Sequence, residues 1–283
     1  MIIAHFKQTQ IANAPEAISD IINKYTEHKS YVVGYGYKNK KIIPKTDIIH
    51  QHNVNQINFK NKIIQYHSEP FRVDLKNNLT KLVIAQYHAT LPEYGDCTIV
   101  RNPIDLYDEI FIPKYQNKKI KIGYSPSTLA PQSKWADKGY IETVPILKNI
   151  KNKYGDLVDI DIITNTSLSD CLIRKSLCNI FIDEVKTISY HRSGLESLAM
   201  GIPTICSIGE SVEKILLQES GARYNPFINV NHLQLEDKLI SLIEMGINNL
   251  LEMGYQNRLW MEKYWSPSVI ANEYIEIYKK NVN

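Results

Sequence analysis

A short polar segment between two apolar runs carries the side chains best suited to bind an anion. The segment 190–196 reads YHRSGLE, and the flanking runs at 179–183 and 203–207 read as buried strands. His191 and Arg192 can both carry positive charge, and the first N–H groups of a helix attract anions because they lack acceptors within the helix. The segment therefore predicts a phosphate or diphosphate site at the N-terminus of a short helix.

The same segment matches the S-x-x-E capping box through Ser193 and Glu196. In that motif the serine accepts a hydrogen bond from the first turn, and the glutamate reaches back to the serine's N–H. Gly201 then fits the residue that follows the helix. Capping explains these three residues without any ligand, but it leaves His191 and Arg192 unexplained. We expect Ser193 to cap the helix and Glu196 to remain available for a ligand.

Histidines recur at or near the ends of the strands predicted in the first half of the chain. They are His5, His50, His52, His67 and His88. Ligands of parallel sheets bind beyond the C-terminal ends of the strands, so these residues predict a polar cleft. His50, His52 and His67 could supply three ligands to a metal ion. Because no acidic partner stands at a fixed spacing from them, no metal site is predicted.

The elements that position these residues alternate short apolar runs with amphipathic segments. Strands are predicted at 1–6, 31–36, 46–50, 62–67, 81–88, 97–100, 121–127, 158–164, 179–183 and 203–207. Helices are predicted at 15–28, 140–155, 167–177, 211–221 and 235–246, and two more meet at Ser266-Pro267. This alternation is typical of parallel α/β structure. The proline-containing, charged segment 101–119 is interpreted as a linker between two such domains.

Composition and missing motifs exclude several classes of protein. The chain has 283 residues and a net charge of +3, which is too small to establish nucleic-acid binding. It has no long apolar run and no signal-peptide layout, so we expect a cytoplasmic protein without integral membrane association. The cysteines form no C-x-x-C pair, which argues against a structural zinc site. The G-x-G-x-x-G, P-loop and G-x-S-x-G motifs are all missing.

Several stretches resemble glycosyltransferases of the GT-B fold, and the resemblance is to the retaining, group 1 type. The segment 189–205 (SYHRSGLESLAMGIPTI) is similar to a loop and short helix ending in Glu-(Ala/Ser)-(Leu/Met)-Ala-x-Gly-x-Pro. The segment 125–147 resembles the Lys-Gly loop before the first donor-domain helix. The segments 99–113 and 262–278 resemble the hinge and the closing helices.

This resemblance implies two Rossmann-like domains that face each other across a cleft, with the C-terminal helix crossing back to the first domain. The acceptor-side domain would comprise residues 1–105 and the helix 266–283. The nucleotide-sugar domain would comprise residues 106–265. The strand ends at 46–53 and 65–70 resemble those that line the acceptor side.

The resemblance also implies a donor site that binds a nucleoside-diphosphate sugar, most often a UDP-sugar, without a metal or a resident cofactor. Its residues would be Ser125, Lys134, Lys138, Tyr190, His191, Arg192, Ser193, Gly194, Leu195 and Glu196. Glu196 would hold the ribose hydroxyls, and the amides of 193–195 with Arg192 and Lys138 would hold the diphosphate. The sequence departs from the family pattern at Ile188, where the family has an acidic residue, and at Ser125, where it has an arginine.

The reaction implied is sugar transfer to an acceptor hydroxyl, either of a glycan or of a hydroxymethylated pyrimidine in phage DNA. In a retaining mechanism the leaving phosphate would act as base. In an inverting mechanism His67 or His88 would be the catalytic base, because imidazole titrates near neutrality. The alternative is a degenerate GT-B module that binds a nucleotide or glycan without turnover, as Ile188 and Ser125 suggest.

Overall fold

The computed structural model describes residues 1–8, 11–34, 45–114, 119–127 and 138–282, and the chain divides into two compact units. The first unit comprises Met1–Asp105, Gln218–Gly221 and Trp265–Asn283. The second unit comprises Leu106–Leu217 and Ala222–Tyr264. Each unit contains one parallel β-sheet.

The elements alternate between strands and helices along much of the chain. The strands are β1 (Ile2–Lys7), β2 (Lys29–Val33), β3 (Ile48–His52), β4 (Lys62–Tyr66), β5 (Thr80–Ile84), β6 (Thr98–Val100), β7 (Ile120–Tyr124), β8 (Val158–Ile162), β9 (Ile180–Glu184), β10 (Thr204–Cys206) and β11 (Ile228–Asn229). The helices are α1 (Ala14–Tyr25), α2 (Tyr140–Tyr154), α3 (Leu168–Lys175), α4 (Arg192–Ala199), α5 (Glu210–Ser220), α6 (Leu235–Met245), α7 (Ile247–Tyr264) and α8 (Pro267–Lys279). The prediction of parallel α/β structure is confirmed.

The sheet of the first unit has the strand order β2-β1-β3-β4-β5-β6, and its pairs are parallel. Helices α1 and α8 contact each other. Pro267 opens α8, where its missing N–H costs nothing, and Ile270, Tyr274 and Tyr278 are buried at the predicted spacing. Strand β3 is buried along its whole length. The first unit therefore buries both the apolar face of α8 and the strand that carries His50 and His52.

One strand predicted for the first unit is too long. Strand β5 ends at Ile84, and the 3-10 turn Tyr87–Thr90 follows it. The chain turns there because the N–H of Gln86 donates to the carbonyl of Ile84 at 2.7 Å. His88 consequently lies in the turn and not on the strand.

The sheet of the second unit has the order β11-β10-β9-β7-β8, again with parallel pairs. Its core includes Ile122, Ile180, Ile182 and Ile205. Helix α7 is longer than the sequence indicated, since it begins at Ile247 directly after α6. The asparagines and the glycine in its first half lower its helix propensity. For this reason the sequence did not predict where the helix begins.

The segment interpreted as a linker is anchored beyond its first residues. Leu106 and Phe111 are buried. The buried guanidinium of Arg258 on α7 donates to their carbonyls at 2.8 and 2.9 Å, and to the carbonyl of Ala199 at 2.7 Å. Arg258 thus also neutralises the C-terminal end of α4. None of the helices in the described ranges is both long and apolar enough to cross a bilayer.

Candidate functional site

A carboxylate of the chain itself, that of Asp183, lies at the N-terminus of α4. The backbone N–H of His191, the residue before the helix, donates to the Asp183 carboxylate at 2.7 Å. Asp183 is fully buried near the end of β9. A Cβ on Gly194 would lie 2.6 Å from Asp183 Oδ2. Glycine at this position is therefore what allows the carboxylate to approach the first turn.

Lys138 provides the counter-charge for Asp183. Its Nζ lies 3.3 Å from Asp183 Oδ1, and the lysine is itself buried. Burial alone would raise the pKa of Asp183, but Lys138 and His191 outweigh it and hold the pKa well below its ordinary value. Lys138 and Gly139 both have left-handed backbones, with φ of 52° and 77°. Glycine suits the second position because a Cβ there would meet Val185 at 3.1 Å.

Glu196 is held between two cations. Its Oε2 accepts from Lys175 Nζ at 2.7 Å, and its Oε1 accepts from Arg192 Nε at 3.1 Å. Burial would raise the pKa of Glu196, yet Lys175 and Arg192 together lower it. The carboxylate is therefore ionised and has defined partners, although its exposed fraction is only 5%.

The predicted capping box is wrong. Helix α4 begins at Arg192, so Ser193 is its second residue and not its cap. Ser193 Oγ instead accepts from Lys175 Nζ at 2.9 Å and lies 3.0 Å from Ser125 Oγ. The local motif fails because Asp183, from a neighbouring strand, binds the amide at the start of the helix. The prediction that Gly201 follows the helix is confirmed by its φ of 69°.

Lys175 is the main residue that the sequence interpretation missed. It is completely buried at the end of α3, and its Nζ lies 4.8 Å from the centre of the Phe181 ring. A lysine in a short helix normally lies in solvent. The sequence offered one signal of this burial: Lys175 follows Leu172 by three residues, and residues at i and i+3 share a helix face. Both side chains are buried in the structure.

The described part of the site is balanced in formal charge. Three basic and three acidic side chains lie in or beside it: Lys138, Lys175, Arg192, Asp183, Glu184 and Glu196. Glu184 accepts from the N–H of Lys186 at 2.7 Å and from the N–H of Thr187, and burial raises its pKa. An added diphosphate would therefore need to take cations from carboxylates that already hold them.

The other predicted donor-site residues are Tyr190, Leu195 and Lys134. Tyr190 is buried and stacks on Phe227 with the ring centres 5.6 Å apart, and Leu195 is wholly in the core. Lys134 lies outside the described residues. Ile188, at the position of the family's acidic residue, is half exposed and has a φ of 58°, a strained conformation for a β-branched side chain.

The two predicted catalytic histidines lie in the first unit. His67 Nε2 is 3.0 Å from His52 Nδ1, and its backbone N–H donates to Asn53 at 2.7 Å. Burial of the ring, with a contribution from His88, lowers the pKa of His67 to about 3. A base with so low a pKa accepts a proton poorly near pH 7. His88 is buried in the turn after β5.

Comparisons with known proteins show the fold. No family model and no curated protein matches the chain. A glycosyltransferase from Rickettsia africae is 14% identical, with a TM-score of 0.65 over 100% of this chain and 98% of that one. Anabaena HepE, solved with UDP and glucose, is 11% identical, with a TM-score of 0.62 over 99% of this chain and 100% of that one.

Staphylococcus aureus TarM, solved as a mutant with fondaparinux, α-GlcNAc-glycerol and UDP, is 11% identical with a TM-score of 0.58. That match covers 82% of this chain and 55% of TarM. The predicted resemblance to GT-B glycosyltransferases is thereby confirmed at the level of the fold. At these identities the similarity identifies an architecture, and activity must be argued from the site.

Proposed function

We propose that the chain is a glycosyltransferase that transfers a sugar from a nucleoside-diphosphate sugar to an acceptor hydroxyl. The observation that carries this proposal is the fold shared over nearly the full length with the Rickettsia glycosyltransferase and HepE. The HepE and TarM structures contain UDP, so we propose a UDP-sugar as the donor. The cytoplasmic location expected from the sequence remains a prediction.

The cluster around α4 is the proposed donor site of the second unit. We assign the diphosphate to the start of α4 together with Lys138 and Arg192. Because Asp183 occupies this position in the structure, binding requires Lys138 to exchange the carboxylate for phosphate oxygens. A metal is not needed in this scheme, since lysine and arginine side chains neutralise the leaving group.

Glu196 is the proposed ribose ligand. A carboxylate offers about four acceptor sites, and Lys175 and Arg192 each use one of them. The remaining sites can accept ribose hydroxyls while Lys175 stays bound to the carboxylate. Lys175 is then a positioning residue, because it fixes the carboxylate from the buried side.

A retaining course is proposed for the reaction. Cleavage of the bond to the diphosphate leaves positive charge on the sugar and negative charge on the leaving phosphate. The leaving phosphate can take the acceptor proton. The low pKa of His67, about 3, argues against this residue as the base of an inverting mechanism.

A glycan is the proposed acceptor, in preference to modified DNA. In the described part of the first unit, a DNA-binding face would draw on Lys7, Lys60 and Lys62; Lys60 is exposed, and the other two have partners of their own. Lys7 pairs with Glu16, and Lys62 donates to the carbonyl of Ile57 at 3.2 Å. Lys38, Lys40 and Lys41 lie outside the described residues. Salt-sensitive binding to duplex DNA would overturn this choice.

The second candidate function, a module that binds without turnover, is favoured by the charge balance of the site. Three carboxylates oppose three cations before any donor is present, and Ile188 stands where the family has an acidic residue. Assays of hydrolysis and transfer with a panel of UDP- and GDP-sugars separate the two functions. Tight nucleotide binding with no turnover of any donor would establish the module.

The donor site is tested by thermal shift with UDP, because a ligand that binds only the folded state raises the melting temperature. Glu196→Gln should abolish the shift given by UDP. Glu252→Gln, at an exposed position of α7, should leave it intact. An unchanged shift in Glu196→Gln would mean that the nucleotide binds elsewhere.

A further inference from the structure

Three completely buried histidines share one face of the sheet in the first unit. His5 on β1 pairs in register with His50 on β3, and His52 follows two residues later on the same strand. Alternate residues of a strand point to the same side, so the three rings meet. The exposed fraction of each is 0%. The glycosyltransferase proposal uses none of them.

The rings are arranged as a cluster of nitrogen atoms. One ring nitrogen from each of the three lies within 4.8 Å of the others. His5 Nδ1 is 3.0 Å from His52 Nε2, and the His50 and His52 ring centres are 4.2 Å apart. A hydrophobic core gains nothing from three adjacent imidazoles, since each brings two polar atoms that need partners.

Two of these polar atoms have no hydrogen bond within the described structure. They are His5 Nε2 and His50 Nε2, and both are buried. The Gln65 side chain lies beside His50 and partly offsets its loss of basicity. Buried nitrogens without partners are uncommon in a core, and two of them in one cluster offer lone pairs that a ligand can use.

We propose that His5, His50 and His52 bind a divalent transition-metal ion of the zinc class through one ring nitrogen each. In the tetrahedral geometry typical of zinc, two nitrogens bound at about 2.1 Å lie about 3.4 Å apart. A spacing of 4.8 Å must therefore close by about 1.4 Å. Rotation of the rings supplies a change of this size, and the His5–His52 hydrogen bond is replaced by bonds to the ion.

Two further contacts act as the outer shell that such sites require. His52 Nδ1 lies 3.0 Å from His67 Nε2, and His50 Nδ1 lies 2.9 Å from the Tyr278 hydroxyl. With its proton on Nδ1, each ligand donates outward and leaves Nε2 for the metal. Hydrogen bonds of this kind fix the tautomer and the orientation of a metal-binding histidine.

The chemistry of the cluster selects the ion. Burial lowers the pKa of His5 to about 3 and the pKa values of His50 and His52 well below 6.5, so the rings are neutral at pH 7 and free to ligate. Neutral imidazoles suit zinc, copper and nickel, whereas magnesium and calcium prefer oxygen ligands. The nearby Lys7 is paired with Glu16. The site is structural, so metal-independent sugar transfer is unaffected.

The test uses untagged, chelator-treated protein titrated with Zn²⁺ by calorimetry. We expect one Zn²⁺ per chain and loss of that binding in His52→Gln. His28→Gln is the matched control, because His28 Nδ1 lies 3.2 Å from the N-terminal amine and these two nitrogens form a further pair of donors that could capture zinc. Absence of zinc binding, or loss of binding in His28→Gln but not in His52→Gln, would overturn the proposal.

A second pair of variants keeps the fold intact. Tyr278→Phe removes only the hydroxyl that orients His50 and should weaken zinc binding about 10- to 100-fold. Tyr66→Phe, at a buried tyrosine of β4 whose hydroxyl donates to the carbonyl of Asp74 at 2.9 Å, should not. X-ray absorption of the zinc-loaded wild type should show three imidazole ligands. One imidazole or none, or equal effects of the two tyrosine variants, would contradict the assignment.

Discussion

The two units bury ionisable side chains in opposite ways. In the second unit, Asp183 and Glu196 keep their charges because Lys138, Lys175 and Arg192 lie against them. In the first unit, His5, His50 and His52 are buried without carboxylate partners in the described cluster, and burial lowers their pKa values until the rings are neutral. Pairing and neutralisation are the two ways to avoid an isolated buried charge.

The difference has a functional meaning. Paired charges can be exchanged for the charges of a ligand, which is what the proposed donor site requires. Neutral imidazoles instead offer lone pairs, which is what a metal ion requires. The two clusters should therefore respond differently to charge deletion, to steric change and to pH.

The largest expected effect is in the second unit. Lys175→Met removes the buried cation that donates to Glu196 at 2.7 Å and should lower the free energy of unfolding by about 3–5 kcal/mol. Urea denaturation measures this change, with Lys148→Met on the exposed face of α2 as the control. The double change Lys175→Met, Glu196→Gln should recover part of the loss. A loss below about 1 kcal/mol in the single variant would show that the charges are not coupled.

A steric change tests the contact between Asp183 and α4. Gly194→Ala places a Cβ at 2.6 Å from Asp183 Oδ2 and at 2.9 Å from Phe227. We expect a loss of about 1–3 kcal/mol in the free energy of unfolding, together with weaker UDP binding. Gly34→Ala is the control, since a Cβ there meets nothing within 4 Å. Unchanged stability in Gly194→Ala would mean that the carboxylate moves aside without cost.

In metal-free protein, acidification should destabilise the first unit at a higher pH than the second. The folded pKa of His5, about 3, lies below its ordinary value of 6.5. As the pH falls from 6.5 toward 3, the unfolded chain therefore binds a proton that the folded protein does not, and the free energy of unfolding falls. At pH 5 this amounts to roughly 2 kcal/mol for one such histidine. The lowered carboxylate pKa values act in the same direction but only below their ordinary values of 3.8 and 4.5.

Amide hydrogen exchange between pH 7 and pH 5 measures this difference in stability between the two units. Protection of the strands of the first unit, β1 and β3, should fall, whereas protection of β9 in the second unit should persist. Equal loss in both units over this range would contradict the contrast between neutralised and paired groups.

The smallest expected effect is a gain at Ile188. A left-handed backbone costs a β-branched residue about 1–2 kcal/mol, and asparagine tolerates it better. Because the side chain is half exposed, Ile188→Asn loses little packing and should raise the free energy of unfolding by up to about 1 kcal/mol. Thermal unfolding measures it, with Ile141→Asn at an exposed position of α2 as the control. A lower melting temperature would show that Ile188 packs against a neighbour in solution.

The sequence alone determined most of the elements of both units. Hydrophobic alternation located the strands, the i, i+4 spacing of Ile270 and Tyr274 located α8, and Gly201 marked the end of α4. These signals are local, because a period of two or 3.6 residues and a glycine with positive φ can be recognised within a few residues. The resemblance in 189–205 added the fold.

Only the tertiary structure decided which groups meet. Ser193 was predicted to cap the helix. In the structure, Asp183 on β9 accepts the hydrogen bond from the His191 amide at the start of the helix, and Ser193 binds Lys175 instead. His5 and His50 are far apart in the chain, and the register of β1 with β3 places them side by side. Strand register, the close approach at Gly194 and the burial of Lys175 depend on packing between distant segments, and no local pattern encodes them.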